Sequence, residues 1–368
     1  MIARVAGLAL LVPLASALRS DAIPLTLRLL LVAFWILAIV RPHAALVALT
    51  LLVPVGSLMA AFVGTSPPRD IEVIVRAALS GTLIAFARPP ERALQPQRPS
   101  LVPPAVIAGT LLCAAAAVTF TATYERVPLL RDVADRLWRE YLSGQTVAFM
   151  GVYEVYEDAV RLVEGLVLMI VVARHTRDAV TRPAQLVAVT AFAGALAAFV
   201  VLETQVHVSL HASSFFVMAA FVAIALAMNR RHTRVPRHPR VRRALWIGAA
   251  ALMIVSMWAG GSRMAPAAPT HDVLQTAGPA RVAALAAFAW LLGAMAMRLA
   301  RGLRADPGDR LLLGCATALA AFLVIWMTSY PSIVPEIAFP FWILAGAALT
   351  RADGDAQPPY AASPGSVD

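Results

Sequence analysis

Two chemically versatile side chains lie close together in one short loop of this sequence. Arg263 follows a long apolar run, and His271 comes shortly before a second one, after a stretch rich in proline and alanine. Thr270 can start a short helix there, with Asp272 favourable in its first turn. His271 is then expected beside the positive end of that helix, where anions commonly bind. The alternative is an ordinary hairpin whose polar residues face water.

The amino-acid composition indicates the class of protein to which this loop belongs. The chain has 368 residues, of which 60% are hydrophobic and 14% are charged. Soluble domains usually carry about 25% charged residues, so this composition indicates an integral membrane protein. Its apolar runs are long enough for helices to cross a bilayer core of about 30 Å, and the alternating segments of a barrel are missing. The sequence therefore predicts an all-α, polytopic transmembrane helical bundle.

The apolar runs predict one membrane domain over residues 1–350, followed by a disordered cytoplasmic tail over 351–368. An amphipathic helical segment is expected in the extracytoplasmic loop 123–158, and a second such loop at 261–280. Residues 2–18 are read as a retained helix, with a cleaved signal peptide as the alternative. We expect about twelve spans, at 2–18, 24–40, 44–64, 71–88, 104–122, 159–174, 186–206, 212–229, 244–260, 281–299, 310–329 and 334–350.

Arginine placement predicts the orientation of these spans. All basic residues are arginines, and the net charge is +10. The densest basic segment, 230–243, is expected in the cytoplasm by the positive-inside rule, because anionic headgroups attract it there. Both termini are then cytoplasmic, whereas Arg263 and His271 are extracytoplasmic. Since the basic clusters interrupt apolar spans, nucleic-acid binding is not expected.

Short motifs in the chain resemble those of the O-antigen ligase and polymerase family. The Ser262-Arg263 pair, followed by His271-Asp272-Val273-Leu274-Gln275 and a glycine-punctuated span, is similar to the family's Ser-Arg-Gly and His-Asn-x-x-Leu motifs. The turn Gly64-Thr65-Ser66-Pro67-Pro68 before an apolar helix resembles a second family element. The resemblance implies a bacterial inner-membrane enzyme of cell-envelope and lipopolysaccharide biosynthesis. Such an enzyme transfers an undecaprenyl-diphosphate-linked glycan to an acceptor at the extracytoplasmic face.

This resemblance also implies roles for individual residues. His271 is expected to act as the base or to orient the acceptor, with Arg263 as its catalytic partner and Asp272 as a substrate-binding residue. Arg76, Arg126 and Arg161 are expected to bind the diphosphate, because a guanidinium stays charged and holds phosphate oxygens in pairs. The expected partners are the lipid-linked glycan, a lipid or glycan acceptor, and the bilayer itself.

Alternatives to a glycan ligase remain open at the level of sequence. The family usually has Asn where Asp272 stands, and its two motifs are farther apart, so a non-catalytic relative is one alternative. A multi-span transporter or flippase of a lipid-linked or anionic substrate is another. His207 and His211 have the spacing of helical metal ligands, but a turn is expected between them. No metal or other cofactor is predicted.

Overall fold

A computed structural model describes residues 7–8, 10–19, 24–56, 67–85, 109, 153–177, 181–204, 210–229, 239–261, 279–329 and 335–354. Within these ranges the chain forms helices and no strands, which confirms the all-α prediction. A short 3-10 turn, Val53–Val55, follows the third helix. The described helices are α1 Leu11–Arg19, α2 Leu25–Val40, α3 Pro42–Leu52, α4 Pro67–Ala85, α5 Tyr153–Thr176, α6 Thr181–Thr204, α7 Leu210–Met228, α8 Pro239–Gly261, α9 Pro279–Ala305, α10 Arg310–Ser329 and α11 Pro335–Gly354.

Prolines mark where many of these helices begin. A proline is the first residue of five described helices: Pro42, Pro67, Pro239, Pro279 and Pro335. The first helical position suits proline, since its missing N–H has no intrahelical partner there and its fixed φ already fits the helix. Four of these helices start a few residues before the predicted span, and α11 starts within one residue of it.

The last described helix, α11, lies in the middle of the bundle. Every residue from 338 to 352 is buried. It packs against α4, α5, α6, α7, α9, α10 and the 3-10 turn. A helix that is apolar all round is expected in such a central position. The sequence predicts this span at 334–350 but does not single it out as the centre.

Helices α5 and α11 approach each other closely through two glycines. A side chain at Gly165 would collide with the indole ring of Trp342. One turn later, a Cβ added to Gly346 would come within 2.6 Å of the backbone oxygen of Met169. Small residues at such positions let two helix backbones pack closely. Because the contacts advance together along both helices, α5 and α11 run in the same direction.

Two described helical segments are long and apolar enough to cross a membrane, Thr181–Leu202 in α6 and Leu285–Ala305 in α9. Four further apolar segments are shorter: Leu25–Val40, Pro42–Val55, Ser214–Met228 and Arg310–Trp326. The predicted number of spans is therefore not established by these helices.

Two predicted boundaries differ from the observed helices. Helix α5 begins at Tyr153, inside the predicted loop 123–158, and the rest of that loop lies outside the described residues. Helix α11 runs through Gly354, past the predicted start of the tail at 351. Its last turn is held in the bundle by Arg351, which is buried and ion-paired. Loop 261–280, apart from its ends, and the predicted span 104–122, apart from Gly109, lie outside the described residues.

Candidate functional site

Two of the residues predicted to bind substrate are described by the structure, and they lie together. Arg76 is on α4 and Arg161 is on α5. Both contact the carboxylate of Glu72, which is 89 positions from Arg161 in the chain. The other predicted site residues lie outside the described residues: Arg126, Arg263, His271 and Asp272.

Four side chains form what we call the paired-arginine cluster: Glu72, Arg76, Arg161 and Glu164. Glu72 accepts hydrogen bonds from Arg161 Nε at 2.5 Å on Oε1 and from Arg76 Nη2 at 3.2 Å on Oε2. Arg76 Nε donates to Glu164 Oε1 at 2.6 Å. Glu72, Arg76 and Glu164 are each at least nine-tenths buried. The guanidinium of Arg76 is therefore held inside the protein by partners on two helices.

Helical geometry brings these four residues into one cluster. Glu72 and Arg76 are four residues apart on α4, so they share one face of that helix. Arg161 and Glu164 are three residues apart on α5 and share a face in the same way. Glu72 pairs with Arg161 and Arg76 pairs with Glu164, so α4 and α5 run in the same direction at this point.

The two carboxylates of this cluster are not equally bound. Both oxygens of Glu72 accept from arginines. Glu164 uses only Oε1, and its Oε2 is buried without a hydrogen-bond partner. A buried polar atom without a partner is uncommon, because it loses its hydration without compensation. Glu164 is thus the carboxylate of the cluster that is held less completely.

The four side chains of the cluster are two arginines and two glutamates. Arginine binds carboxylate and phosphate oxygens through the same planar set of donors. Two arginines that one carboxylate holds side by side can therefore bind a phosphate-containing anion. This capacity fits the role that the sequence analysis predicts for Arg76 and Arg161.

A second buried group, which we call the Asp309 cluster, lies at the end of the bundle where α5 and α11 finish. Arg351 donates to both oxygens of Asp309, at 2.5 Å and 3.0 Å. Asp309 Oδ1 also accepts the backbone N–H groups of Leu311 and Leu312, so it caps α10. The flanking ion pairs of this cluster are Arg177–Asp353 at 3.1 Å and Arg298–Asp353 at 3.8 Å.

Two histidines pack together near the same end. The rings of His43 on α3 and His175 on α5 stack with centroids 5.8 Å apart. His43 Nε2 is 2.8 Å from Gln185 Oε1, and Arg182 donates to the backbone oxygen of His175 at 3.0 Å. These contacts join α3, α5 and α6. Among the described residues, no three His, Cys, Asp or Glu side chains are grouped as metal ligands would be.

The metal-ligand spacing noted for His207 and His211 cannot be compared with the structure, because both side chains lie outside the described ones. Glu72, Glu164 and Asp309 are important buried acids that the sequence analysis does not select as site residues. A signal exists for the first two, because an acid within an apolar helix needs a partner. The partner of each lies on another helix, and the sequence does not show which helices are neighbours.

Comparison of the chain with protein-family models, with curated proteins and with solved structures finds no match.

Proposed function

We propose that the chain is a polytopic membrane protein with about twelve spans, placed in the bacterial inner membrane with both termini in the cytoplasm. The support is that large apolar side chains face outward while charged side chains are buried, the reverse of the usual arrangement in a soluble protein. Helix α2 exposes five large apolar residues at helical spacing: Leu25, Leu29, Val32, Ile36 and Val40. The central charged residues of the two clusters are buried between helices: Glu72, Arg76, Glu164, Asp309 and Arg351. Lipid favours this arrangement, since charged groups must then face the interior of the bundle.

Orientation is tested with single cysteines at Ala268 and Thr233, in a background that lacks Cys113 and Cys315. We expect an impermeant maleimide to label the residue-268 cysteine in intact cells, because its loop is predicted to be extracytoplasmic. The residue-233 cysteine should react only after permeabilisation. Labelling of residue 233 alone in intact cells reverses the proposed orientation.

We further propose that the protein transfers a glycan from a polyprenyl-diphosphate-linked saccharide to an acceptor at the extracytoplasmic face. The observation that carries this proposal is the sharing of the Glu72 carboxylate by Arg76 and Arg161. A diphosphate leaving group needs positive charge that cannot be lost by deprotonation, and two adjacent guanidinium groups supply it. Both arginines were selected from the sequence for this role.

In the proposed reaction, the acceptor hydroxyl attacks the anomeric carbon of the donor sugar. The new glycosidic bond forms as the bond between that carbon and the diphosphate oxygen breaks. His271 takes the hydroxyl proton, because a histidine titrates close to neutral pH. The diphosphate leaves on the polyprenol, and Arg263 with the two clustered arginines stabilises its charge.

The test is a transfer assay with the purified full chain in vesicles that contain a polyprenyl-diphosphate-linked saccharide and an acceptor. His271→Ala should abolish transfer while the amount of folded protein stays near that of the wild type. His238→Ala is the matched control, since His238 lies in the basic loop predicted on the opposite side. Undiminished transfer by His271→Ala removes the catalytic assignment. Absence of transfer by the wild-type chain favours a non-catalytic relative or the second candidate.

A transporter or flippase of a lipid-linked or anionic substrate is the second candidate. The specific observation is a proline inside the central helix, Pro340, together with the contact between α11 and the 3-10 turn Val53–Val55. Prolines within spans are a feature of the broken helices at which transporters bind substrate. Movement of a labelled lipid-linked saccharide across the vesicle membrane without any transfer product would support this candidate over the enzyme.

A further inference from the structure

The unequal binding of the two carboxylates in the paired-arginine cluster indicates which one can leave. Displacing Glu72 would break hydrogen bonds to both arginines, on α4 and on α5. Displacing Glu164 breaks its one hydrogen bond to Arg76, and Glu72 still holds both arginines together. Displacing Glu164 therefore breaks fewer hydrogen bonds than displacing Glu72 does, and its Oε2 is already buried without a hydrogen-bond partner.

We propose that a diphosphate enters the cluster by replacing Glu164 on Arg76, and that Glu164 takes up a proton from water as it is displaced. Glu72 acts as a positioning residue that keeps the two arginines side by side throughout. This inference rests on the proposed function only for the identity of the anion. The exchange itself follows from the geometry of the four side chains.

The loss of its ion pair favours protonation of Glu164. Before the exchange, Arg76 Nε donates to Glu164 Oε1 and offsets its charge in a buried place. An entering diphosphate brings a negative charge on each phosphate into this buried site. An ionised Glu164, separated from Arg76 in the same site, would then be a buried carboxylate that has lost its ion pair beside a second anion, and the neutral acid is strongly favoured there. The exchange converts the carboxylate to a carboxylic acid and makes or breaks no other covalent bond.

Among the described side chains, the charged groups around Glu164 are Arg161 on α5, and Glu72 and Arg76 on α4. Glu72 is the other carboxylate, but both of its oxygens stay hydrogen-bonded to arginines during the exchange, so the proton goes to Glu164. On the α11 side, the neighbouring Gly165 faces the indole of Trp342. The titratable residue of α3, His43, stacks on His175 toward the other end of α5.

The proton is measured by calorimetry on the full chain in nanodiscs, with inorganic pyrophosphate as the probe. Binding heats in two buffers with different ionisation enthalpies give the number of protons taken up. We expect the wild type to take up about one proton more per pyrophosphate than Glu164→Gln. Comparing the two proteins cancels the protons that pyrophosphate itself exchanges. Glu164→Asp keeps a carboxylate and should take up protons as the wild type does.

The wild type alone supplies a second measurement in case Glu164→Gln does not fold. Pyrophosphate affinity should rise by up to about tenfold for each pH unit of acidification, over the range in which Glu164 is ionised before binding. Protonation of pyrophosphate acts in the opposite direction, because it lowers the charge of the ligand. The affinity is therefore corrected for the fraction of pyrophosphate in each protonation state, and a corrected affinity that falls on acidification contradicts the exchange.

Two other outcomes also overturn the inference. Equal proton uptake by the wild type and Glu164→Gln shows that Glu164 is not the acceptor. If neither protein binds pyrophosphate more tightly than membranes without protein do, the cluster is not an anion site. Failure of glycan transfer is a separate result, since a flippase for the same diphosphate would still show the difference in protons.

Discussion

The paired-arginine cluster and the Asp309 cluster contain the same types of residue in equally buried places, yet their hydrogen bonding differs. Asp309 is saturated: Arg351 binds both of its oxygens, and two backbone N–H groups of α10 bind one of them as well. Glu164 has one arginine hydrogen bond and one oxygen without a partner. An ion pair in which every carboxylate oxygen has a hydrogen-bond partner, and which also caps a helix, stabilises the fold. An ion pair in which one carboxylate oxygen has no partner can exchange that carboxylate for another anion, as a binding site requires.

The largest effect should follow from Arg351→Ala, which leaves Asp309 charged and buried without its counter-ion. Removing one partner of a buried ion pair typically costs about 3–5 kcal/mol. We expect a loss of this size in the free energy of unfolding, measured by reversible denaturant titration in micelles. The matched control is Arg304→Ala, an exposed arginine of the same end, which should change stability by less than about 0.5 kcal/mol. Equal effects of the two substitutions would show that the Asp309 cluster does not fix the fold.

A pair of isosteric substitutions compares the two clusters directly. Asp309→Asn weakens charge-assisted hydrogen bonds to Arg351 and should cost about 1.5–3 kcal/mol. Glu164→Gln should cost less, about 1 kcal/mol or below, because Arg76 keeps its ion pair with Glu72. Both values come from the same denaturant titration. A larger loss for Glu164→Gln than for Asp309→Asn would show that the paired-arginine cluster, and not the Asp309 cluster, contributes more to the stability of the fold.

The close approach of α5 and α11 should be the next most sensitive feature. Gly165→Ala places a methyl group against Trp342 and should cost about 1–3 kcal/mol through overpacking. Gly293→Ala on α9 is the control, since an added Cβ there meets nothing within 4 Å. It should be neutral or stabilise by up to about 1 kcal/mol, because alanine favours helix more than glycine does. Thermal unfolding of the two variants checks the opposite signs.

The smallest effect concerns the threonine contact between the same helices. Thr350 Oγ1 is 2.8 Å from Thr176 Oγ1 and 2.9 Å from the backbone oxygen of Ala173. Thr350→Val should cost about 0.5–1.5 kcal/mol. Thr317→Val is the control, because that exposed hydroxyl bonds only to the backbone of its own helix at Leu313. Indistinguishable melting temperatures would show that the interhelical hydroxyl contact adds no stability.

The helical architecture could be predicted from the sequence because apolar runs and prolines act locally. Runs such as 310–329 correspond to whole helices, and Pro279 marks a helix start. The family resemblance predicts that Arg76 and Arg161 bind one ligand, and the structure brings the two side chains onto one carboxylate. Charge within an apolar segment is a signal that can be read without knowing the fold.

The rest of the site depends on which helices are neighbours, which no local pattern specifies. Glu164 lies in the predicted span 159–174, and its partner Arg76 is 88 positions away in the chain. The disordered tail is predicted to start at residue 351, but the pairing of Arg351 with Asp309 makes it a buried part of the bundle. The roles predicted for Arg263 and His271 remain predictions, since both lie outside the described residues.

The central place of α11 has a consequence for how the protein is assembled during synthesis. The ten other described helices precede α11 in the chain. The central helix is therefore synthesised after the described helices that pack around it. Until then, the faces of α5 and α10 that later contact α11 have no partner. A chain halted before Pro335 should therefore leave these helix faces exposed. We expect chaperones and proteases that act on incompletely folded membrane proteins to bind such a chain.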